Sequence, residues 1–300
     1  MDAGLAAAIT AAIVWGVYVF VLKQRFSAYP PAGLAVGINV VAIAWFLPVT
    51  AATTDLRGLG RDAVATATGP AAELPLAEAG IVALTAIATA AAFVLFLRAL
   101  AAGDVSYVTP INKTVPMFVL PLEVLLLGAR LTPLQVAGVV VATAAVYVAN
   151  YEPGDLLAPL VSAVHSRPAQ LALASAACYA VSDLGKRVAL QELAVPETLW
   201  VPLLLAGITV VLLPAAVRNP PPVIREDLPV FLGIGALAAF GRYVTTVAFA
   251  ELPASVASPV VNVQAIVAVV LGGVVLGERY LRIRIVAALL AVGGVAMIAM

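Results

Sequence analysis

Lys113 is the residue of this sequence whose chemistry fits its surroundings least well. It lies about eight residues into a long apolar segment, or about 12 Å along a helix that rises 1.5 Å per residue. An ammonium at that depth cannot easily extend back to water, so it is expected to face a partner, a polar cavity or a water-filled path. Two interpretations follow: a cation that binds a solute, which we favour, or one half of a structural ion pair.

Polar groups and prolines surround Lys113 on the same segment. Asn112 lies beside it, and the same predicted helix contains Pro110, Pro116 and Pro121. Each proline inside a helix removes one N–H donor and leaves a carbonyl one turn earlier without its usual partner. The segment therefore offers polar groups at the depth of the membrane centre, which predicts the wall of a cavity with Lys113 and Asn112 in its lining.

Later apolar segments contain a second group of polar residues. Arg242 and Tyr243 lie deep in the eighth such segment, and Asn262 and Gln264 lie in the ninth. We predict that these side chains face Lys113 and bind the substrate with it, because cations held away from water attract an anionic group strongly. The alternative for the two amides is a hydrogen-bonded contact between helices.

Three further residues have two interpretations each. Asp183 lies about two-thirds along the sixth segment, where it either forms a salt bridge with Lys113 or Arg242 or is a carboxylate whose protonation is coupled to transport. Trp15 and Tyr18 are one turn apart in the first segment and form either an aromatic wall of the substrate site or ordinary core packing.

The same sequence argues against an enzyme. One His and one Cys, His165 and Cys178, exclude a cluster of His and Cys metal ligands, and no Asp-Asp-x-x-Asp or His-Glu-x-x-His pattern occurs. No Gly-x-x-x-x-Gly-Lys loop is present to bind ATP. We therefore predict no catalytic residue, no metal and no cofactor. The 16 basic and 16 acidic residues cancel, which gives no reason to expect a nucleic acid partner.

Composition places the whole chain in a lipid bilayer. Hydrophobic residues make up 63% of it, charged residues 11%, and the mean hydropathy is +1.10. Apolar runs of the length that crosses a membrane predict ten helices rather than a β-barrel, because the runs are continuous. The predicted spans are 4–22, 32–52, 79–100, 105–127, 131–149, 169–187, 196–217, 228–250, 254–276 and 281–299. We expect an all-α, multi-pass protein of the plasma membrane whose first span is retained.

The two halves of the chain are related. A shift of 149 residues aligns Pro110 with Pro259, and Leu-Gly-Ala-Arg at 127–130 with Leu-Gly-Glu-Arg at 276–279. It also aligns Lys113 with Asn262. Five spans per copy is an odd number, so the second copy enters the membrane in the opposite sense. The predicted organisation is a first five-helix repeat at 1–150, a central linker at 151–168 and a second, inverted repeat at 169–300.

These features resemble the EamA-type branch of the drug/metabolite transporter superfamily. The resemblance rests on Leu-Gly-Glu-Arg at 276–279, on Pro259 eighteen residues before its Gly, and on the five-plus-five organisation. It implies a secondary transporter, expected to be an exporter, of a small solute such as an amino acid or another metabolite, working by alternating access. A proton or another cation is the expected coupling ion if Asp183 has the coupling role. Ala129 departs from the family's usual Glu, so a charged helix-end contact is expected to be missing in the first copy.

The resemblance also bears on orientation and charge. It implies cytoplasmic termini, whereas that orientation places five Lys or Arg in cytoplasmic loops and eight outside, against the positive-inside rule. The small multidrug resistance proteins of the same superfamily have a Glu in their first span that binds cations. This chain has no carboxylate there, which with Lys113 and Arg242 favours a carboxylate-bearing solute. The alternatives are a channel-like or non-transporting membrane subunit or, less favoured, a membrane-embedded enzyme.

Overall fold

The computed structural model describes residues 3–53, 76–127, 132–149, 165–189, 197–220, 227–251, 260–278 and 280–300. Within these ranges the chain forms eleven α-helices and no strand. They are α1 Ala3–Phe26, α2 Pro31–Thr53, α3 Leu76–Ala102, α4 Val105–Asn112, α5 Pro116–Leu127, α6 Pro133–Ala149, α7 Arg167–Arg187, α8 Glu197–Arg218, α9 Leu228–Glu251, α10 Gln264–Val275 and α11 Leu281–Ala299. The all-helical class predicted from the sequence is confirmed.

Five of the described helices are long and apolar enough to cross a membrane by length and composition. They lie in α1, α2, α3, α8 and α9. Several of the other helices are too short to qualify alone: α4 has 8 residues, α5 has 12, α6 has 17 and α10 has 12. The protein is therefore a multi-pass membrane protein.

The fourth predicted span, 105–127, is not one continuous helix, and in this respect the prediction was wrong. α4 ends at Asn112 and α5 begins at Pro116. Pro116 has no N–H to donate, and its ring would collide with the carbonyl of Asn112 in a straight helix. The backbone tightens instead: the N–H of Thr114 donates to the carbonyl of Ile111 at 3.2 Å, and the Thr114 hydroxyl donates to the same oxygen at 2.7 Å. Lys113 lies at this interruption.

A similar interruption occurs at the start of α10. The apolar segment Val260–Val275 is helical on both sides of Val263. At that residue the helix tightens: the Val263 N–H donates to the Val260 carbonyl at 3.2 Å, and the Val263 carbonyl accepts from the N–H of Ile266 at 2.8 Å as well as from that of Val267 at 3.3 Å. The predicted counterpart of Lys113, Asn262, thus also lies next to a break.

The Leu-Gly-Glu-Arg motif connects the end of α10 to the start of α4. Gly277 has φ +67°, a left-handed conformation that ends a helix at little cost when the residue is glycine. The Glu278 carboxylate then accepts the N–H groups of Val105 and Ser106, both at 2.8 Å. A carboxylate at a helix N-terminus satisfies orphan donors and complements the helix dipole. Its predicted counterpart, Ala129, lies outside the described residues.

The helices pack mainly through small side chains. α3 packs along α7, α1 along α9, and α6 along α11, while α2 contacts both α8 and α9. The core of the largest apolar cluster includes many fully buried alanines, among them Ala90 on α3 and Ala172 on α7. Small residues let helix backbones approach closely, and the resulting van der Waals packing contributes to helix association in lipid.

Two polar contacts fix helix ends. The Lys23 ammonium donates to the carbonyls of Leu100 and Gly103, both at 2.7 Å, and so caps the C-terminus of α3. The Tyr29 hydroxyl, in the loop after α1, donates to the Asp227 carboxylate at 2.7 Å, next to the start of α9. Burial and the Asp227 carboxylate raise the pKa of Tyr29. The contact ties the first and second halves of the chain together.

Candidate functional site

A central cavity of about 220 Å³ lies among the helices. Its described lining comes from α1, α2, α3, the α4 break, α7, α8, α9 and the start of α10, whereas α5, α6 and α11 contribute none of it. The lining residues are Trp15, Tyr18, Val19, Ile38, Asn39, Thr89, Phe93, Phe96, Asn112, Lys113, Tyr179, Lys186, Leu204, Ile208, Ala238, Arg242 and Gln264.

The charge of this lining is positive. Lys113, Lys186 and Arg242 face the cavity, and none of the described lining residues is Asp or Glu. In the described part of the chain, no hydrogen bond or salt bridge joins the Lys113 ammonium to another side chain. Arg242 lies close enough to Tyr18 and Tyr179 to interact with them electrostatically. Charges in a partly desolvated site act strongly on an anion that enters it.

Asp183 pairs with a residue that the sequence did not suggest. The Lys186 ammonium, three residues further along α7, donates a hydrogen bond to the Asp183 carboxylate at 2.8 Å. The salt bridge considered from the sequence was with Lys113 or Arg242. The side chains of Lys186 and Asp183 are 34% and 47% exposed, so the pair is not buried. Asp183 does not line the cavity, but its charge does act on Lys113.

The amides of the site are in different states. The Asn112 side-chain N–H donates to the Ser175 hydroxyl at 2.9 Å, and this hydroxyl donates to the Ala92 carbonyl at 2.7 Å, which ties α4, α7 and α3 together. Asn39, on α2, is 5% exposed, and its Nδ2 has no hydrogen-bond partner in the described structure. A buried donor without a partner is costly, so Asn39 is suited to a ligand acceptor.

An aromatic wall occupies another part of the lining. The Trp15 indole N–H donates to the Thr245 hydroxyl at 3.0 Å, and its ring meets that of Tyr18 edge to face with 5.3 Å between centroids. Gly241 leaves the room for this ring, because a Cβ there would lie 3.0 Å from Cε2 of Trp15. The indole is thereby held in one orientation beside the cavity.

The structure brings together most of the residues predicted to bind the substrate, but not all of them. Trp15, Tyr18, Asn112, Lys113, Arg242 and Gln264 all line the cavity. Asn262 does not, although it is the next residue but one to Gln264. Tyr243 is 49% exposed and lines a separate open groove of about 420 Å³ on the outer surface, with Trp45, Phe46, Ala236, Ala239 and Phe240.

Several lining residues were missed from the sequence. Asn39 carried a signal, since an amide within an apolar span is expensive and tends to face inward. Tyr179 carried a weaker one, as the residue aligned with Trp15 when the first and sixth spans are compared. No signal marked the apolar lining residues Phe93, Phe96, Leu204 and Ile208, because an apolar side chain in an apolar helix looks the same in sequence whether it faces a cavity or lipid.

The described residues contain no group of three His, Cys, Asp or Glu side chains that could hold a metal ion.

Comparisons with known proteins agree on the fold. A family model described as the EamA-like transporter family matches residues 2–151 and again 167–300. A solved structure titled "Crystal structure of protein" superposes with a TM-score of 0.62 at 15% sequence identity, over 98% of this chain and 95% of that one. No curated protein matches the chain.

Proposed function

Since the chain belongs to the EamA-like transporter family, we propose that it is a secondary transporter that exports a small carboxylate-bearing metabolite across the plasma membrane by alternating access. Membership of the family makes it a membrane transporter of small solutes. The cation-lined central cavity is the observation that carries the rest of the proposal.

The proposed architecture is ten spans in two inverted repeats, with the first at 1–150, a linker at 151–168 and the second at 169–300. The family model matches two stretches of nearly these bounds. The helix contacts also pair off under exchange of the halves: α3 with α7 corresponds to α1 with α9, and α2 with α9 corresponds to α3 with α8. The shift of 149 residues aligns Val263 with Thr114, which lies in the break between α4 and α5, so the two interruptions correspond; breaks of this kind are typical of transporters with discontinuous helices at the membrane centre.

The proposed substrate site is the central cavity, with Lys113, Arg242, Gln264, Asn112, Trp15 and Tyr18 as binding residues. Lys113, Lys186 and Arg242 face it, and of these Lys186 forms a salt bridge with Asp183 outside the lining. An anionic group of the solute would be attracted by these cations, because charges in a partly desolvated site interact strongly. Support for Asn262 and Tyr243 as binding residues is weaker, since neither lines the cavity.

Coupling is proposed to involve the Asp183–Lys186 pair. Lys186 faces the cavity while Asp183 is half exposed, so a proton or another cation that reaches Asp183 would release Lys186 towards a bound anion. The salt bridge would thereby link the state of an exposed carboxylate to the affinity of the cavity for its solute.

The test is counterflow in proteoliposomes that contain the purified full-length protein and no ATP. A panel of small carboxylates is first screened for thermal stabilisation of the detergent-purified protein, since ligands of the folded state raise its melting temperature. Vesicles preloaded with an unlabelled hit should then transiently accumulate the labelled hit above its external concentration. A channel gives equilibration without overshoot, and this result would reject the transporter mechanism.

A further inference from the structure

We propose that the central cavity selects solutes that consist of one aromatic ring and a carboxylate without an ammonium group. This inference rests on the function proposed above and narrows its substrate to a chemical class. It follows from the size of the cavity, the kind of side chains that form its apolar wall, and the sign of the charges that face it.

The size of the cavity sets the scale of the solute. Its volume of about 220 Å³ is larger than the roughly 150 Å³ of an engineered apolar cavity that binds benzene. It is smaller than the roughly 300–1,000 Å³ of pockets that hold drug-sized ligands. One ring with a short acidic chain fits this range, whereas a two-ring or peptide-like solute does not.

The apolar wall is aromatic rather than aliphatic. Five of the 17 described lining residues are aromatic, although aromatic residues make up only 7% of the sequence: Trp15, Tyr18, Phe93, Phe96 and Tyr179. Alanine, leucine and valine are the most common residues of this chain, and they would be sufficient for a wall that only needed to be apolar. Rings prefer to meet other rings edge to face or in offset stacks, so this wall favours an aromatic solute over an aliphatic one of equal size.

The wall is also held in place before a solute binds. The hydrogen bond from Trp15 to Thr245 and the edge-to-face contact with Tyr18 fix the indole, and Gly241 provides the space for it. A fixed ring loses little conformational entropy on binding, and this increases affinity for a ligand of matching shape.

The polar part of the lining offers donors and positive charge. Lys113, Lys186 and Arg242 donate only, and the buried Nδ2 of Asn39 is a further donor with no partner in the described structure. A carboxylate accepts from such groups. The ammonium of an amino acid would instead lie beside the cations Lys113 and Arg242, with no carboxylate in the described lining to receive it. The site should therefore discriminate against zwitterions as well as cations.

Four probes of nearly equal size separate these requirements: 3-phenylpropionate, 3-cyclohexylpropionate, L-phenylalanine and 2-phenylethylamine. Binding of each to the full-length protein in lipid nanodiscs is measured by isothermal titration calorimetry. The proposal expects 3-phenylpropionate to bind at least tenfold more tightly than L-phenylalanine, several-fold more tightly than 3-cyclohexylpropionate, and 2-phenylethylamine not to bind. Equal or tighter binding of L-phenylalanine or 3-cyclohexylpropionate would overturn it, as would no binding of 3-phenylpropionate.

Three variants locate the effect in this cavity. Phe93→Leu should reduce the preference for the phenyl over the cyclohexyl probe, and Arg242→Gln should reduce the preference for 3-phenylpropionate over L-phenylalanine. Phe240→Leu is the matched control, because it is the same substitution at a side chain two residues from Arg242 that lines the outer groove, and it should change neither ratio. If Arg242→Gln does not fold, Lys186→Gln takes its place. Ratios that change in the control but not in the cavity variants would overturn the proposal.

Counterflow with the same probes separates this inference from the proposed function. Exchange that prefers L-phenylalanine would leave the transporter standing and refute the selectivity. The predicted binding order without exchange of any probe would refute the transporter and leave the binding class standing.

Discussion

At the scale of single residues, Lys113 carries most of the functional argument. It lies at the break between α4 and α5, faces the cavity, and has no salt bridge in the described structure. A lysine used only for structure would be expected to have a carboxylate beside it, because an unpaired charge away from water is costly. This distinction can be tested by separating binding from stability.

Lys113→Ala is expected to weaken the binding of anionic solutes by tenfold or more, which corresponds to about 1.4 kcal/mol, and to spare neutral analogues. Lys113→Arg should retain part of the affinity, since a planar guanidinium does not replace a compact ammonium. Calorimetry with the purified variants measures both.

The melting temperatures of the same variants test the alternative, in which Lys113 forms a structural ion pair with Asp183. Because Asp183 is paired with Lys186, Lys113→Ala should leave the melting temperature unchanged or raise it. If Lys113 were instead the necessary partner of Asp183, the single variant would be destabilised and the double variant Lys113→Ala with Asp183→Ala would recover. Such a rescue with unchanged anion binding would falsify the substrate-site interpretation.

Asp183→Asn is expected to have a small effect on stability and a large one on coupling. An exposed pair three residues apart on a helix contributes at most about 1 kcal/mol. Gradient-driven accumulation should be lost in proteoliposomes while solute exchange persists, because the cavity keeps its cations. Loss of both activities in a folded variant would make the pair structural instead.

The residues predicted from the sequence were those that are expensive in lipid. Lys113, Arg242, Asn112 and Gln264 line the cavity because a polar group in an apolar span is stabilised only by facing inward. Tyr243 is exposed because a tyrosine ring is tolerated at an outer surface, so its presence in a span indicates no direction. Phe93 could not be recognised as a lining residue, since nothing in the sequence shows that it faces the cavity while its apolar neighbours do not.

At the scale of elements, the broken helices position the site. The prolines indicated that the fourth span was perturbed, but the sequence did not show that it splits into two helices at Lys113. Pro110 and Pro121 lie within helices that continue past them, whereas at Pro116 the chain begins a new helix. Whether a proline kinks or ends a helix is decided by packing against neighbouring helices, which local sequence does not contain.

The Glu278 contact is the charged link that holds one of these helices. Glu278→Ala should lower stability by roughly 1–3 kcal/mol, because it leaves the N–H groups of Val105 and Ser106 without a charged acceptor. Glu278→Gln keeps one acceptor oxygen and should lose less. Thermal unfolding in detergent compares the two with Glu251→Ala as a control for loss of a carboxylate elsewhere. Equal losses for all three would show that the helix cap contributes nothing.

At the scale of the whole molecule, the two halves enclose one cavity between them. Spans one to four and their proposed counterparts six to nine supply its described lining, while α6 and α11 pack against each other and contribute none of it. The internal similarity of the sequence predicted an inverted repeat, but not which spans line the cavity. Aligned positions differ between the halves, as expected from Lys113 and Asn262: Phe93 also corresponds to Arg242, and this difference makes the cavity asymmetric.

The ten-span arrangement predicts that residues 1 and 300 lie on the same side of the membrane. Reporter fusions at the two termini should therefore agree with each other, and a reporter in the loop near residue 60 should agree with both. Termini on opposite sides would contradict an even number of spans and with it the inverted repeat.

Alternating access at the central cavity is tested most directly by labelling it from each side of the membrane. Ala238, a small residue of its lining, is replaced by Cys in a Cys178→Ser background, which removes the one native thiol. An impermeant anionic thiol reagent is then added to either side of oriented vesicles. The account predicts modification from both sides, protection by a bound carboxylate solute, and loss of that protection when Lys113→Ala is added. Modification from one side only, or protection that survives Lys113→Ala, would contradict it.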